Sequence, residues 1–520
     1  MSLAAQAIPE GQRNDELFRL GLTLWRQGVT EETLVTALLS DNEKRCDPPL
    51  PEEEVKRIAR SIARYPQGTA VPQEPYTDLG NAKRFIRQHG QGLRYVPLWK
   101  KWLSWDGARW AVDETHKVVQ KAKETVRNLP TELANIQEDE KRRSFAQHIA
   151  RSESHSKIVD MIRLAESEPG IPVTPEQLDS DPWVLNVRNG TLDLHTGELR
   201  EHRRDDLLTK LAPIAYDPEA QCPLWEAFLS RIFAGDAELI RFVQKAIGYS
   251  LSGSSQEQCF FILYGTGANG KTTLMQTVSA LLKDYARQTA TETLLVQRGD
   301  GPRNDLARLQ GARFVYASET EGGRKLAEAL VKQLTGGDTL TARFLYSEHF
   351  EFQPMFKLWL AVNHKPVVQG TDHAIWRRIR LLPFIVTIPV AEQDKRLIEK
   401  LRDELPGILR WAVEGCLLWQ QEGLEPPQAV KRATGDYRSE MDVIAAFIQN
   451  CCVVEPQGKV STSELYEEYA GWCTQMGETP VSQKALAAAL KERGCTPGRS
   501  GGGRLWCGIA LKGDEPEPQG

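Results

Sequence analysis

Apolar positions recur along this chain with several different periods, and the changes of period mark out its segments. From residue 8 to 65, Leu17, Leu20, Leu22 and Leu24, then Leu34, Leu38 and Leu39, then Val55, Ile58 and Ile62 predict three amphipathic helices. Pro48-Pro49-Leu50-Pro51 ahead of Glu52-Glu53-Glu54 marks the start of the third, with proline at the entry and acids in the first turn. Residues 65–77, YPQGTAVPQEPYT, read as a linker. Leu93 to Val112 is dense in aromatics and reads as short strands with a turn at Asp106-Gly107. Its interleaved Trp, Lys and Arg suit base stacking, but packing of a small sheet is the simpler reading. Residues 115–167 look helical and highly charged. Val184 to Leu199 predicts a hairpin around Asn189-Gly190, with Asp193 and His195 as turn and edge polar groups.

The second half changes character. An unbroken apolar run, Cys259–Tyr264, and three further short, mainly apolar runs, Ala312–Ala317, Lys357–Val362 and Leu381–Val386, are the lengths of strands buried on both faces. Between them fall helical segments at 272–283 and 326–334, and an alternating stretch, Thr339–Phe352, that reads as a hairpin with its tip near Tyr346 to His349. Leu397–Gln421 is a helical pair with Trp411, Leu417, Leu418 and Trp419 on its apolar face, and Leu424–Gln428 a linker. Helices at 443–450, 462–475 and 481–493, then a Gly/Arg-rich hairpin through Arg499–Trp506, describe a winged-helix module. Its Gln483, Lys484, Lys491, Arg493, Arg499 and Arg504 could meet a DNA backbone, although such modules also dock proteins. Residues 513–520 read as a disordered acidic tail. The sum is a multidomain α/β chain.

Chemistry enters at the first apolar run. It is followed by Gly265-Thr266-Gly267-Ala268-Asn269-Gly270-Lys271-Thr272, which fits the phosphate-binding pattern G-x-x-x-x-G-K-[ST], and then by Thr273 and a helix. A strand launches the loop, glycines let successive N–H groups turn toward a phosphate, and the helix presents its positive end to the same anion. Lys271 would reach the outer phosphate oxygens and the Thr272 hydroxyl would ligate Mg²⁺, with ATP as the expected nucleotide. The run at 312–318 delivers Glu319, the expected water-polarising acid and second Mg²⁺ contact, with Glu321 a lesser candidate. Asn363, at the end of the third run, can orient the lytic water or sense the γ-phosphate. Arg377-Arg378, just ahead of the fourth, suggest an arginine finger for a neighbouring subunit, with Arg378 preferred and Arg377 in reserve. On or near the 339–352 hairpin, Lys332, Arg343 and His349 are groups that could hold a phosphodiester backbone.

Composition adds limits. The 520 residues, 41% hydrophobic and 26% charged, suit several soluble domains. A net charge of −5 means any nucleic-acid surface must be local. No apolar stretch approaches bilayer length, and the start lacks a basic-then-apolar signal. Nine cysteines without a C-x-x-C pair point to buried, reduced thiols and a cytoplasmic setting, read as that of a bacterial host.

IPEGQRNDELFRL…PPLPEEEVKRIARSIARYP resembles the accessory helical domain that follows the catalytic core in phage and plasmid primases. GTGANGKTT, FVYASETEGG, KQLTGGDTLTARFLY, FKLWLAVNHKP and DHAIWRRIRLLPF, in that order over residues 260–386, resemble the motifs of superfamily 3 helicases, in particular the phage/plasmid and poxvirus primase–helicase branch. Region 78–250 resembles the domain preceding the motor in that branch. The resemblance implies an AAA+-like P-loop core, a hexameric ring, ATP hydrolysis at subunit interfaces, and translocation on single-stranded DNA, usually 3′ to 5′, at forks. It implies domains at 1–66 (primase-associated helices), 78–250 (α+β), 251–425 (motor) and 440–512 (winged helix), before the tail at 513–520. The family's primase carboxylate and histidine cluster is not found here, so primer synthesis is not expected. That leaves a helicase-only protein or a fragment of a longer one, with a separate primase or polymerase as possible partner. Two other readings share the motor: a DNA-packaging or remodelling ATPase without unwinding, and a DNA-binding initiator or loader switched by nucleotide.

Overall fold

The helical period at the start of the chain folds as read. In the computed structural model, residues 8, 13–26, 29–64, 74–133, 136–296, 304–318, 324–343, 350–368, 373–476, 480–500 and 503–512 are described. α1 (Arg13–Arg26), α2 (Glu31–Arg45) and α3 (Glu52–Ala63) bury Leu17, Leu34, Leu38, Val55, Ile58 and Ile62 in one core. Thr30 caps α2 by accepting from the Thr33 N–H, and Pro51 precedes the acidic first turn of α3.

Contacts divide the chain into two units, residues 1–193 with 198–216, and 194–197 with 217–520. The first unit continues with α4 (Asp78–His89), the three-stranded antiparallel sheet β1 (Leu93–Val96), β2 (Lys101–Trp105) and β3 (Trp110–Val112), then α5 (Lys117–Glu132), α6 (Asp139–Ser152) and α7 (His155–Ala165). The turn at Asp106-Gly107 lies between β2 and β3 as expected, and the aromatics pack: Trp110 is fully buried, with the Arg94 guanidinium 4.6 Å from its ring. β4 (Val184–Val187), β5 (Gly190–Asp193) and β6 (Leu199–Arg200) close the unit. The β4–β5 turn sits one residue earlier than predicted, on Arg188-Asn189, because Asn189 is bound to the backbone of Tyr216 on both sides of its amide.

The second unit begins with α8 (Pro223–Ile232) and α9 (Ala237–Leu251). The expected domain boundary at residue 250 therefore moves to about 217: α9 packs along α15 (Leu405–Glu422) in the same unit as the sheet. Two glycines permit that contact. A Cβ on Gly248 would lie 2.1 Å from the Cys416 nitrogen, and one on Gly415 would lie 2.2 Å from the Gln244 carbonyl oxygen. The chain between these helices in sequence builds a five-stranded, all-parallel sheet: β7 (Phe260–Tyr264), β8 (Ala286–Gln288), β9 (Phe314–Ser318), β12 (Lys357–Val362) and β13 (Ile379–Pro383), in spatial order β13-β7-β12-β9-β8. The crossovers carry α10 (Lys271–Leu282), the short α11 (Asn304–Ala307), α12 (Glu328–Gly336) and the short α13 (His373–Trp376). β10 (Leu340–Ala342) and β11 (Phe350–Phe352) pair antiparallel, so the predicted hairpin is present. Its tip at 344–349 lies outside the described residues.

Both faces of the sheet are buried, as the apolar runs require, yet a buried cation stands at the start of β12 and another just before β9. Arg313 is 2% exposed and donates to the Leu251 carbonyl at 2.7 Å. Lys357 is 1% exposed and donates to the Ser252 carbonyl at 2.6 Å, with the Tyr249 ring 4.3 Å away. Both groups hold the negative C-terminal end of α9. Burial first, then the nearby Arg313 charge, holds the Lys357 ammonium well below the ordinary lysine range.

After α14 (Leu397–Asp403) and α15, α16 (Gln428–Met441) packs on β13, and α17 (Val443–Cys451) follows directly. β14 (Cys452–Val453), β15 (Lys459–Ser461), α18 (Thr462–Gln475), α19 (Gln483–Glu492), β16 (Thr496–Ser500), β17 (Gly503–Cys507) and β18 (Ala510–Leu511) form the terminal module around a separate core that includes Phe447, Leu465, Tyr469 and Trp506. All nine cysteines are free thiols, and burial pushes those of Cys222, Cys259, Cys416 and Cys452 up to about 12. Among the described residues no helix is long and apolar enough to cross a membrane. The expected tail at 513–520 and most of the 65–77 linker lie outside them.

Candidate functional site

Strand order reverses around β7. The chain leaves it for the far edge at β8, returns through β9 and β12 to its flank, and crosses to β13 on its other side. A crevice at the carboxyl ends of β7 and its neighbours is the place such a sheet offers a ligand. The loop 265–270 lies there. Gly265 is held closely, since a Cβ on it would meet the Asn269 side chain at 2.2 Å and the Phe384 carbonyl at 2.5 Å. Gly267 (φ 121°) and Gly270 (φ 85°) take left-handed backbone, and so does Ala268 (φ 48°). Gly270 must also be bare, because Ile232 of α8 approaches within 2.6 Å of where a Cβ would stand. From the other side, the chain after β13 clasps the loop through the Ile388 N–H, which donates to the Ala268 carbonyl at 2.7 Å.

The consequence is a row of donors. Among the described residues, the backbone N–H groups of residues 266 to 273 donate to no protein atom. They combine the unbonded loop amides with the orphan first turn of α10, where its positive dipole end lies. Thr272 is exposed on that first turn and Thr273 half-buried, so a hydroxyl is available at the rim.

Lys271 is 6% exposed and its ammonium donates to three oxygens: the Gly265 carbonyl at 2.6 Å, Asn269 Oδ1 at 3.1 Å and Asn363 Oδ1 at 3.0 Å. No carboxylate is among these acceptors, and burial lowers the lysine's pKa. The ammonium is thus placed to gain from an incoming anion. Asn269, 3% exposed, leaves its Nδ2 buried without a partner, a donor awaiting an acceptor in the same crevice. Asn363, at the end of β12, is thereby brought against the Lys271 ammonium.

The remaining expected residues are distributed as follows. β9 ends at Ser318 beside Ala361 of β12, and Thr291 Oγ donates to the Ser318 carbonyl at 3.0 Å. Glu319 and Glu321 themselves lie outside the described residues, and so does His349. Arg343 follows β10 half-buried, and Lys332 is half-buried on α12, off the hairpin. Arg377 and Arg378 are at the opposite end of the sheet from the loop: Ile379 pairs with Phe260, the first residue of β7, while Tyr264 at its end pairs with Pro383. At ~3.3 Å per residue the two ends are separated by roughly 13 Å, too far for either arginine to serve this chain's own loop. They differ in presentation. Arg378 is 7% exposed and donates to the Ala374 carbonyl at 2.7 Å, whereas Arg377 is exposed with a 3.4 Å bond to Gln258.

Sequence reasoning missed a supporting set. Lys365 lies 4.7 Å from the Tyr264 ring and pairs with Glu440 of α16 at 2.6 Å, and the Tyr437 hydroxyl donates to the Pro366 carbonyl. These contacts span about seventy to a hundred residues, so no local signal announces them.

Comparison with known proteins gives four matched segments. Residues 2–68 match the primase C terminal 1 family, 82–234 the D5 N terminal like family, 263–378 a family of unknown function, and 439–493 the poxvirus D5 protein-like family. "Putative helicase L207/L206" of Acanthamoeba polyphaga mimivirus is 29% identical over 321 residues, covering 57% of this chain and 33% of that protein. "Putative helicase 022R" of Frog virus 3 is 28% identical over 387 residues (58% and 40%), and "Putative primase C962R" of African swine fever virus 24% over 328 (57% and 34%). The chain thus matches only about a third of the length of these relatives. The solved NrS-1 C-terminal region aligns with a TM-score of 0.48 at 11% identity, covering 84% of this chain and 99% of that one. With primase C-terminal, D5 N-terminal-like and poxvirus D5-like segments in succession, and relatives bearing helicase and primase names, the chain is similar segment by segment to proteins of the primase–helicase family.

Proposed function

We propose that the chain is an ATP-driven replicative DNA helicase with an AAA+-like P-loop motor, working as a hexameric ring that translocates on single-stranded DNA, 3′ to 5′, and opens forks. The observation that carries this is the row of unbonded N–H groups at 266–273 converging with the Lys271 ammonium and Asn363 at a strand-order reversal. A triphosphate would lie along that row, with Lys271 on its outer phosphates and Asn363 beside the attacking water. The exposed Thr272 hydroxyl at the rim suits a Mg²⁺ ligand, and Glu319, next in sequence after β9, is the acid proposed to join it. The ion would supply charge neutralisation between phosphate oxygens.

An arginine must then come from a neighbouring copy, since this chain's own pair stands at the far end of the sheet. Arg377, exposed, is better presented for that than Arg378. The terminal module supports a winged-helix reading: helices α17–α19 pack against the sheet β15-β17-β16, whose hairpin sets Arg499 opposite Arg504. Arg493 is committed to both oxygens of Asp442 and does not belong to that surface.

Purified chain assayed for DNA-stimulated ATP hydrolysis and for strand displacement on forked duplex tests the proposal. Lys271→Ala should remove both. Hydrolysis without displacement would favour a remodelling ATPase, and nucleotide binding with no turnover would favour a switched initiator.

A further inference from the structure

α16 presents Thr434, Gly435 and Arg438 toward the segment leading into β13, and between them lies a cavity of about 240 Å³. Its floor is apolar, formed by Trp376, Ile379 and Val430, and its rim carries Arg377, Arg380, Lys431 and Arg438. Glu425, 2.6 Å from Lys431, is the carboxylate that answers them, leaving the rim positive. Arg438 has no hydrogen bond or ion pair among the described residues. Arg380 gives Nη1 to the Arg377 carbonyl at 2.6 Å and keeps its Nε buried without a partner. The wall is fixed, because Thr434 Oγ accepts from the Leu381 N–H at 3.1 Å.

Gly435 adds an independent sign. Glycine weakens a helix interior, and it is usually explained there by a close neighbour. A Cβ on Gly435 would have nothing within 4 Å, so packing does not demand it. What the missing side chain leaves is open space in the cavity.

We propose that this cavity binds one nucleotide unit, its phosphate between Arg380, Lys431 and Arg438 and its apolar parts over Trp376, Ile379 and Val430. The volume suits a single unit and not a duplex. Charge-assisted bonds from arginine to phosphate give the affinity, and the apolar lining adds contact area. The unit comes either from a free nucleoside phosphate or from a residue of a single strand. Because Ile379 pairs with the first residue of β7, the site is separate from the 265–270 loop and does not rest on the motor reading.

The test uses the full chain carrying Lys271→Ala, so that the loop contributes little. Labelled ADP and a labelled short oligothymidylate are titrated separately into it, then into versions that also carry Lys431→Glu with Arg438→Glu, or Gly435→Leu. The ligand that belongs to the cavity should bind at least about tenfold more weakly in both versions. For the oligonucleotide, the slope of log affinity against log salt should fall by about 0.7 for each cation removed. Gly435→Leu fills the cavity without touching charge, so its loss of binding with an unchanged melting temperature excludes a diffuse electrostatic effect. A response by the oligonucleotide alone assigns a strand residue, and by ADP alone a free nucleotide. Unchanged affinity for both ligands in both versions, or no binding of either to the Lys271→Ala chain, overturns the proposal.

Discussion

Burying Lys357 without a carboxylate should write itself into the pH dependence of stability. In the unfolded chain this lysine ionises at its ordinary 10.5, whereas in the fold burial and Arg313 hold it well below. Between those two values the unfolded chain binds the extra proton, so stability rises with pH there, and below the native value the effect is absent. Each pH unit inside the window is worth about 1.4 kcal/mol. The buried thiols act in the opposite direction but higher: pushed from 9.0 up to about 12, Cys259 and Cys416 lose stability as pH climbs past 9.0. The clean range therefore runs from the native Lys357 value up to about 9.0, where the thiols begin to act. Lys357→Met keeps the side-chain length and removes the titration. It leaves the Ser252 carbonyl without its 2.6 Å donor, a cost of about 1–3 kcal/mol. Measured by hydrogen exchange of the β12 amides, wild type should gain protection steeply across that range. The variant should follow a flatter line, and the two should approach each other at the acid end. Parallel profiles would refute the account of Lys357, since Lys271, also lowered by burial, contributes equally to both proteins.

Other consequences can be measured more briefly. Gly415→Val should cost more than about 3 kcal/mol by forcing α15 off the Gln244 carbonyl, seen as a lower denaturant midpoint. Arg378→Ala should lower stability through its lost 2.7 Å bond and the gap left behind, while Arg377→Ala should leave melting unchanged within about 0.5 kcal/mol. If Arg377 serves a neighbour, Arg377→Ala alone should lose ATP hydrolysis by about 10³-fold, and mixing it with Lys271→Ala subunits should restore part of it. No restoration in the mixture would sink a role across the interface.

The strand–loop–helix at 260–282 is legible because its signal is local: an apolar run, glycines where the backbone must turn left-handed, and a helical period directly after. Asn363 is legible for the same reason, standing at the end of a recognisable strand. What cannot be read is long-range. Lys357 opens a strand that looks merely apolar, and nothing nearby in sequence says that its ammonium meets the end of a helix a hundred residues earlier. Gly248 and Gly415 look like helix-weakening residues until α9 and α15 are laid together, which is also why the sequence suggests a boundary at 250 and not 217. The choice between Arg377 and Arg378 turns on which side of one short helical turn faces inward, which adjacent identical residues cannot disclose.

α16 touches the strand exit after Asn363 twice, through Tyr437 on Pro366 and Glu440 on Lys365, and a single residue, Asp442, separates it from α17. Fourteen residues make a rod about 21 Å long. A shift of Asn363 as its neighbouring ammonium changes partners would therefore be handed to the last seventy residues as a tilt of their mounting, with no slack linker to absorb it.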